Sequence, residues 1–427
     1  MAIKIDFPYK GYPPVYIPEK SLLAILKPKT CVDSDQSEID QIRSALKRPI
    51  GTPPLRKLAG KHQKILILVD DYTRKTPTEL IIPQVIEELA AAGVPPGNIK
   101  FMIASGLHRM MTEKEKLEKV GKSIMETYPV MDHDWRKTDS LLQLPTTSRG
   151  TEIWVNKEIL AADFIIGIGH IVPTRVAGFT GGAKIIQPGV CGAVTTDQTH
   201  WLSACYSSEE IFGRIDNPVR REMNDVGRRA GLKFIVNTIH DATGKISRCV
   251  CGDPIEAFRS GCKTALDIYG VPLAEPADIL LVDSYPGDME LWQAGKAIFA
   301  AEQALKQDGV LILVSPCTEG VCRSHPQLAE VGYMPFAEIE AMVERGEFKD
   351  LTLASHIAKV GRVIFDKGTG VLVSDGIDPE MTRRLGFRWA STAEEALKFA
   401  FGLKGPDAKV VVIQHGGEVL PVLNPLS

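Results

Sequence analysis

The sequence predicts an α/β protein of two domains, each with a mainly parallel, doubly wound sheet flanked by helices. Three observations lead there. Short apolar runs bounded by polar residues alternate with amphipathic helical stretches, the pattern of parallel strands joined by crossover helices. The alternation restarts after a proline-containing segment, Val271 to Asp278. The chain has 427 residues, more than one domain holds at roughly 150 residues each. A division near residue 272 gives an N-terminal α/β domain over 1–271 and a C-terminal one over 272–427.

The first sixty residues are dotted with prolines. They hold strand-like pieces at Pro14 to Ile17 and Leu22 to Leu26 and a helix from Ser37 to Leu46. Ile65 to Val69 reads as a strand buried on both faces, because a continuous apolar run leaves no solvent side. The following helix carries Leu80, Ile81, Val85, Ile86 and Leu89 on one stripe and stops at Gly93. Lys100 to Ala104 is the next strand, and Thr112 caps the helix after it by accepting a free N–H of the first turn. Phe164 to Ile168 is a further strand, and Phe234 to Ile239 with Ile246 to Val250 form a hairpin around Asp241-Ala-Thr-Gly244. A helix from Pro254 ends at Gly270. Beyond the linker come a strand at Ile279 to Val282, a helix over Met289 to Gln307, and strands at Val310 to Val314, Val363 to Phe365, Val371 to Val373 and Val410 to Ile413.

Composition removes several classes of function. Lys and Arg total 50 against 53 Asp and Glu, a formal charge of −3, so broad phosphate neutralisation on a nucleic acid is not expected. No apolar run reaches the ~18–20 residues of a membrane span, and the N-terminus lacks the apolar core of a signal peptide. A cytoplasmic protein without membrane or nucleic-acid partners is the expectation. Eight scattered cysteines, with no C-x-x-C, make neither a disulfide framework nor a metal cluster.

Ligands of open α/β sheets bind beyond the carboxyl ends of the strands, and reactive side chains gather at three such ends. Asp70-Asp71-Tyr72-Thr73-Arg74 follows the first strand; it can position a sugar or carboxylate, with Arg74 as a bidentate fork, or merely cap a helix. Ser105-Gly106-Leu107-His108 follows the second and places a histidine as a general base, or as a plain surface loop. The third is the richest: Gly169-His170, Pro173-Thr174, then Gly178, Gly181, Gly182 and Lys184, and Pro188-Gly189. Its glycines let backbone N–H groups approach an anion. G-x-x-x-x-G-K-[ST] is not met, since Ala183 separates Gly182 from Lys184 and Ile185 follows; Lys184 reads instead as an attachment or nucleophilic lysine, or as a lysine of a flexible loop facing solvent. His200, beside Trp201, is either a metal ligand lacking local partners or a packed ring. In the second half, Gln293 and Lys296 share a helix face and either grip a carboxylate or face solvent.

The set Asp70-Asp71-x-Thr73-Arg74, Gly106-x-His108, Gly178-x-x-Gly181-Gly182-x-Lys184, His200 and Gln293-x-x-Lys296 resembles the lactate racemase family over roughly residues 65–300. The resemblance implies an active site in the cleft between the domains. It also implies a nickel-pincer nucleotide, nickel pyridinium-3,5-bisthiocarboxylic acid mononucleotide, attached covalently at Lys184 and supplied by cofactor-biosynthesis proteins. His200 would then complete the nickel coordination, with Asp70, Asp71, Thr73, Gly178, Gly181 and Gly182 around the cofactor. His108 would take the 2-hydroxyl proton as hydride leaves C2, and Arg74, Gln293 and Lys296 would hold the carboxylate of a 2-hydroxy acid. One position departs from the pattern: lactate-racemising members carry a second histidine where this chain has Thr174, and a threonine hydroxyl is no base near neutrality. Either another group substitutes, His170 being one candidate, or the substrate is not lactate. A nicotinamide-type oxidoreductase and a non-catalytic cofactor-binding homologue are the competing readings. The near-zero net charge would then hide a local basic cleft of Arg74, Arg109, Lys184 and Lys296.

Overall fold

A computed structural model describes residues 1–30 and 36–423. Two six-stranded sheets organise it. The first runs, edge to edge, Ile246–Gly252, Leu232–His240, Phe164–His170, Ile65–Asp70, Ile99–Ala104 and Val130–Asp132. It is parallel apart from the hairpin edge Ile246–Gly252. The second runs Arg388–Trp389, Gly368–Val373, Leu305–Val314, Ala277–Asp283, Val410–Ile413 and Leu22–Leu26, parallel throughout.

Strand periodicity explains why both sheets are wrapped on two sides. Every residue of Ile65–Asp70 is buried, yet Ile65, Ile67 and Val69 enter one apolar cluster while Leu66 and Leu68 enter another. Successive side chains point to opposite faces, so a fully apolar run needs helices on each. The second sheet divides its strands in the same way, Ile279 and Leu281 on one side and Leu280 and Val282 on the other.

The expected elements recur with small shifts of boundary, and the cap at Thr112 is a full capping box with Glu115. Three features differ. Val363 to Phe365 is a wide helical turn, Arg362–Lys367, continuing the helix Leu351–Gly361; its β-branched residues satisfy the core from a helical backbone, and strand propensity loses to packing. The segment after residue 270 begins with a short strand, Gly270–Pro272, paired in parallel with Leu420–Val422 near the C-terminus. And Leu22–Leu26, in the N-terminal part of the 1–271 division, closes an edge of the second sheet beside Val410–Ile413. Its apolar residues are legible as a strand, but nothing local names the partner. Among the described residues, no helix is long and apolar enough to cross a membrane.

In the first sheet, the chain moves outward in one direction from Ile65–Asp70 and in the other from Phe164–His170. The strand order reverses between these neighbours, and helices of the second domain roof that crevice. This is where an open α/β sheet binds its ligand.

Candidate active site

A cleft of about 1200 Å³, open mouth included, lies at that switch point. It is lined by Asp70, Asp71, Arg74, His108, His170 and Lys184 from the first domain and by Gln293, Lys296, His356 and Lys359 from the second. Asp71 is buried and holds His108, its Oδ2 standing 2.7 Å from Nδ1. A carboxylate only accepts, so Nδ1 carries the proton and Nε2 keeps its lone pair. Nε2 lies 3.5 Å from the Gln293 amide across the domain boundary. Burial alone would raise the Asp71 carboxyl, but the His108 imidazole, the Thr73 hydroxyl and Arg74 together hold it well below the usual range.

The neighbouring Asp70 serves other partners. Its Oδ1 is 2.7 Å from the Lys119 ammonium, and its Oδ2 accepts the Thr76 hydroxyl. The Thr76 oxygen in turn lies 3.1 Å from Nδ1 of His170, whose ring stacks on His240. Burial raises the Asp70 carboxyl, and Lys119 with His170 brings it below its ordinary value.

The glycine-rich segment is drawn tight against the first sheet. Arg220 is buried and donates to the carbonyls of Ala177, Phe179 and Gly181 while its guanidinium covers the Phe258 ring. Gly181 sits at φ +79°, where a Cβ would come within 2.7 Å of Ile171 and 2.9 Å of Asn237 Oδ1; only glycine takes that backbone without strain. Asn237 accepts the N–H of Gly182. Held this way, Lys184 projects into the cleft with no hydrogen-bond or ion-pair partner among the described residues. Burial, then the nearby Arg74 and Arg220, push its amine down to about 7, making it a nucleophile at neutral pH.

The helix Ala193–Ala204 carries His200 and docks on Leu351–Gly361 of the second domain. Asp197 accepts from the Thr352 backbone at 2.9 Å and hydroxyl at 2.6 Å, and the His200 carbonyl accepts from Ser355 at 2.6 Å. His200 Nδ1 is 2.9 Å from the Thr196 carbonyl, which fixes the proton on Nδ1 and leaves Nε2 bare, the tautomer of a metal-binding imidazole. Burial, then Lys359 and Lys184, hold the ring well below its ordinary pKa and therefore neutral. Among the described residues, no three His, Cys, Asp or Glu cluster as a metal site.

Other residues expected at the site fall into three groups. Thr174 lines the cleft, as do Gln293 and Lys296, which the sequence alone leaves open to a solvated helix face. Thr73, Gly178 and Gly182 do not line it: the Thr73 hydroxyl is spent on Asp71 at 2.6 Å, and the glycines shape the loop. Arg109 is withdrawn from the expected basic cleft, paired with Glu115 at 2.7 Å and lying over the Tyr72 ring. Its place among the basic residues goes to Lys359, buried and hydrogen-bonded to Ser355 at 2.7 Å. Trp292, sandwiched between His325 and His356, also went unseen. The available signal was Thr352, Ser355, His356 and Lys359 interrupting an otherwise apolar helix.

Comparison with known proteins follows the same outline. Residues 10–211 match the family model of the lactate racemase N-terminal domain, and residues 273–420 that of the lactate racemase C-terminal domain. A lactate racemase of Thermoanaerobacterium thermosaccharolyticum is 29% identical over 428 residues, covering 97% of this chain and 98% of that protein. One from Lactiplantibacillus plantarum is 29% identical over 396 residues, covering 89% and 90%. The solved lactate racemase apoprotein of T. thermosaccharolyticum superposes with a TM-score of 0.88 at 28% identity, over 99% of this chain and 100% of that one. A Thermotoga maritima protein shares the fold at a TM-score of 0.72 and 21% identity, over 92% and 100%.

Proposed function

Because the chain belongs to the lactate racemase family, whose members are isomerases, we propose that it inverts C2 of a 2-hydroxy acid by reversible hydride transfer, with a nickel-pincer nucleotide attached at Lys184. The observation that supports this most is the pairing of an unpartnered, nucleophilic Lys184 with the bare Nε2 of His200 in one cleft. Both fit the group: the amine is suited to a covalent link, and a single imidazole suits a metal that draws its other donors from the cofactor. When bound, the cofactor supplies a hydride acceptor.

The chain's own residues do the rest. Arg74 and Lys296, neither of them in a salt bridge among the described residues, bind the substrate carboxylate together with the Gln293 amide. His108 Nε2 takes the 2-hydroxyl proton, and Asp71 stabilises the imidazolium that forms. The domain roof limits water around the ketone that results.

Intact mass after co-expression with cofactor-biosynthesis enzymes is expected to show an adduct and bound nickel, both lost in Lys184→Ala. A chiral assay of that holoenzyme on lactate, malate, 2-hydroxyglutarate and phenyllactate is expected to show inversion of at least one. An unmodified mass, or an adduct with no inversion of any acid, contradicts the proposal.

A further inference from the structure

Inversion through a planar ketone makes a stereochemical demand. With the carboxylate held at Arg74 and the C2 hydrogen aimed at one hydride acceptor, mirror-image substrates must exchange the positions of hydroxyl and side chain. The hydroxyl proton then has to be taken on one side of the substrate for one enantiomer and on the other side for its mirror image. His108 serves one side only, and Thr174 offers no base.

We propose that His170 is the second proton-transferring residue of this cleft, an inference that rests on the 2-hydroxy acid reading above. The support is a matched pair of devices at one strand end. Ile65–Asp70 lies between Phe164–His170 on one side and Ile99–Ala104 on the other. Consecutive aspartates at its end each support one histidine, the first in the flanking strand and the second in the loop after the other. Asp71 holds His108 directly at 2.7 Å. Asp70 holds His170 through Thr76: the hydroxyl donates to Asp70, so its oxygen accepts from Nδ1 at 3.1 Å. The relay leaves the lone pair on His170 Nε2, which has no protein partner among the described residues, and the ring lines the cleft.

Arg74 ties the two together. Its charge helps keep Asp71 ionised and opposes protonation of His170, so a carboxylate on that guanidinium has both histidines within electrostatic reach. Burial and the cations Arg74 and Lys119 keep His170 neutral, against the pull of Asp70. In each direction one histidine would take the hydroxyl proton while the bound cofactor would supply the hydride acceptor for C2. That proton would pass through water at the open mouth of the cleft to the bare Nε2 of the other histidine, which would give it to the carbonyl oxygen as C2 regains its hydrogen.

At an equilibrium constant of one, kcat/KM is equal for the two enantiomers in any variant, so steady-state rates do not separate the bases. Single-turnover reduction of the bound cofactor does. The probe is whichever acid of the panel the wild type inverts fastest, each enantiomer mixed separately with holoenzyme. In His170→Gln, one enantiomer is expected to reduce the cofactor at the wild-type rate and its mirror image ~10²–10⁴-fold more slowly; His108→Gln is expected to reverse the preference. Equal rates for both enantiomers in His170→Gln, whether fast or slow, with adduct and nickel retained, overturn the assignment. Thr76→Val offers a second route: ¹⁵N-histidine spectra of the cofactor-free chain are expected to show His170 as the Nδ1–H tautomer, and the valine to release it. A wild type that inverts nothing overturns this inference together with the reading beneath it, whereas inversion with symmetric variants overturns this one alone.

Discussion

Lys184 shows how much of a residue's chemistry is set by what stands around it. As a lysine beside glycines, it reads in the sequence as a candidate attachment point. Its lowered basicity is not legible, because it comes first from burial in the fold and then from Arg74 and Arg220, the latter on a helix some thirty-six residues on. The shift has a testable consequence. Between pH 7 and the ordinary lysine value, the unfolded chain binds a proton that the folded chain has released, so folding stability rises with pH. The penalty is full below about 7 and gone once the free amine is neutral. Lys296 and Lys359 shift in the same direction. Thermal denaturation of the cofactor-free protein is expected to show Lys184→Met stabilised relative to wild type at pH 7, with the difference shrinking by pH 10. A constant difference across that range would contradict the assignment. The three-residue spacing of Gln293 and Lys296 put them on one helix face but left open whether that face met solvent, and His356 and Lys359 gave only a faint signal, polar groups on a helix with no solvent face.

Elements were legible where hydrophobic period leaves one choice. Ile65–Asp70 admits only a strand covered on both faces, and Asp241-Ala-Thr-Gly244 only a tight turn. Val363 to Phe365 was misread because a short β-branched run fits a buried helical turn as well as a strand, and the preceding helix decides. The segment from Gly178 to Gly189 has no period, and its shape comes from Arg220 and Asn237, neither visible as a partner beforehand. Gly181→Ala tests that account. Its Cβ meets Ile171 and Asn237 at a positive φ, so the substitution is expected to cost about 1–3 kcal/mol by urea denaturation. It is also expected to displace Lys184 enough to lower adduct yield. A neutral effect on both would mean that the loop is not held by close packing at this point.

At the scale of the whole molecule, the cleft exists because two sheets, each with its own main core, are stitched across their boundary. Arg175, buried, spans it: it donates to the carbonyls of Ser203 and Tyr206 in the first half of the chain and to Glu302 in the second. Asp197 and His200 add further bonds to Thr352 and Ser355. A net charge near zero thus conceals four basic side chains, Arg74, Lys184, Lys296 and Lys359, around one crevice. The alternating pattern made both sheets readable, but the crossing of Leu22–Leu26 into the second sheet was not, since strand pairing over such separation leaves no local mark. The central claim is that this crevice moves hydride between C2 and a bound acceptor and keeps it there. The direct measurement is inversion of a C2-deuterated 2-hydroxy acid by the holoenzyme in ordinary water, followed by mass spectrometry of the separated enantiomers. Retention of the deuterium in the inverted product is the predicted result, and its complete replacement by solvent hydrogen would show proton abstraction at carbon and contradict the account.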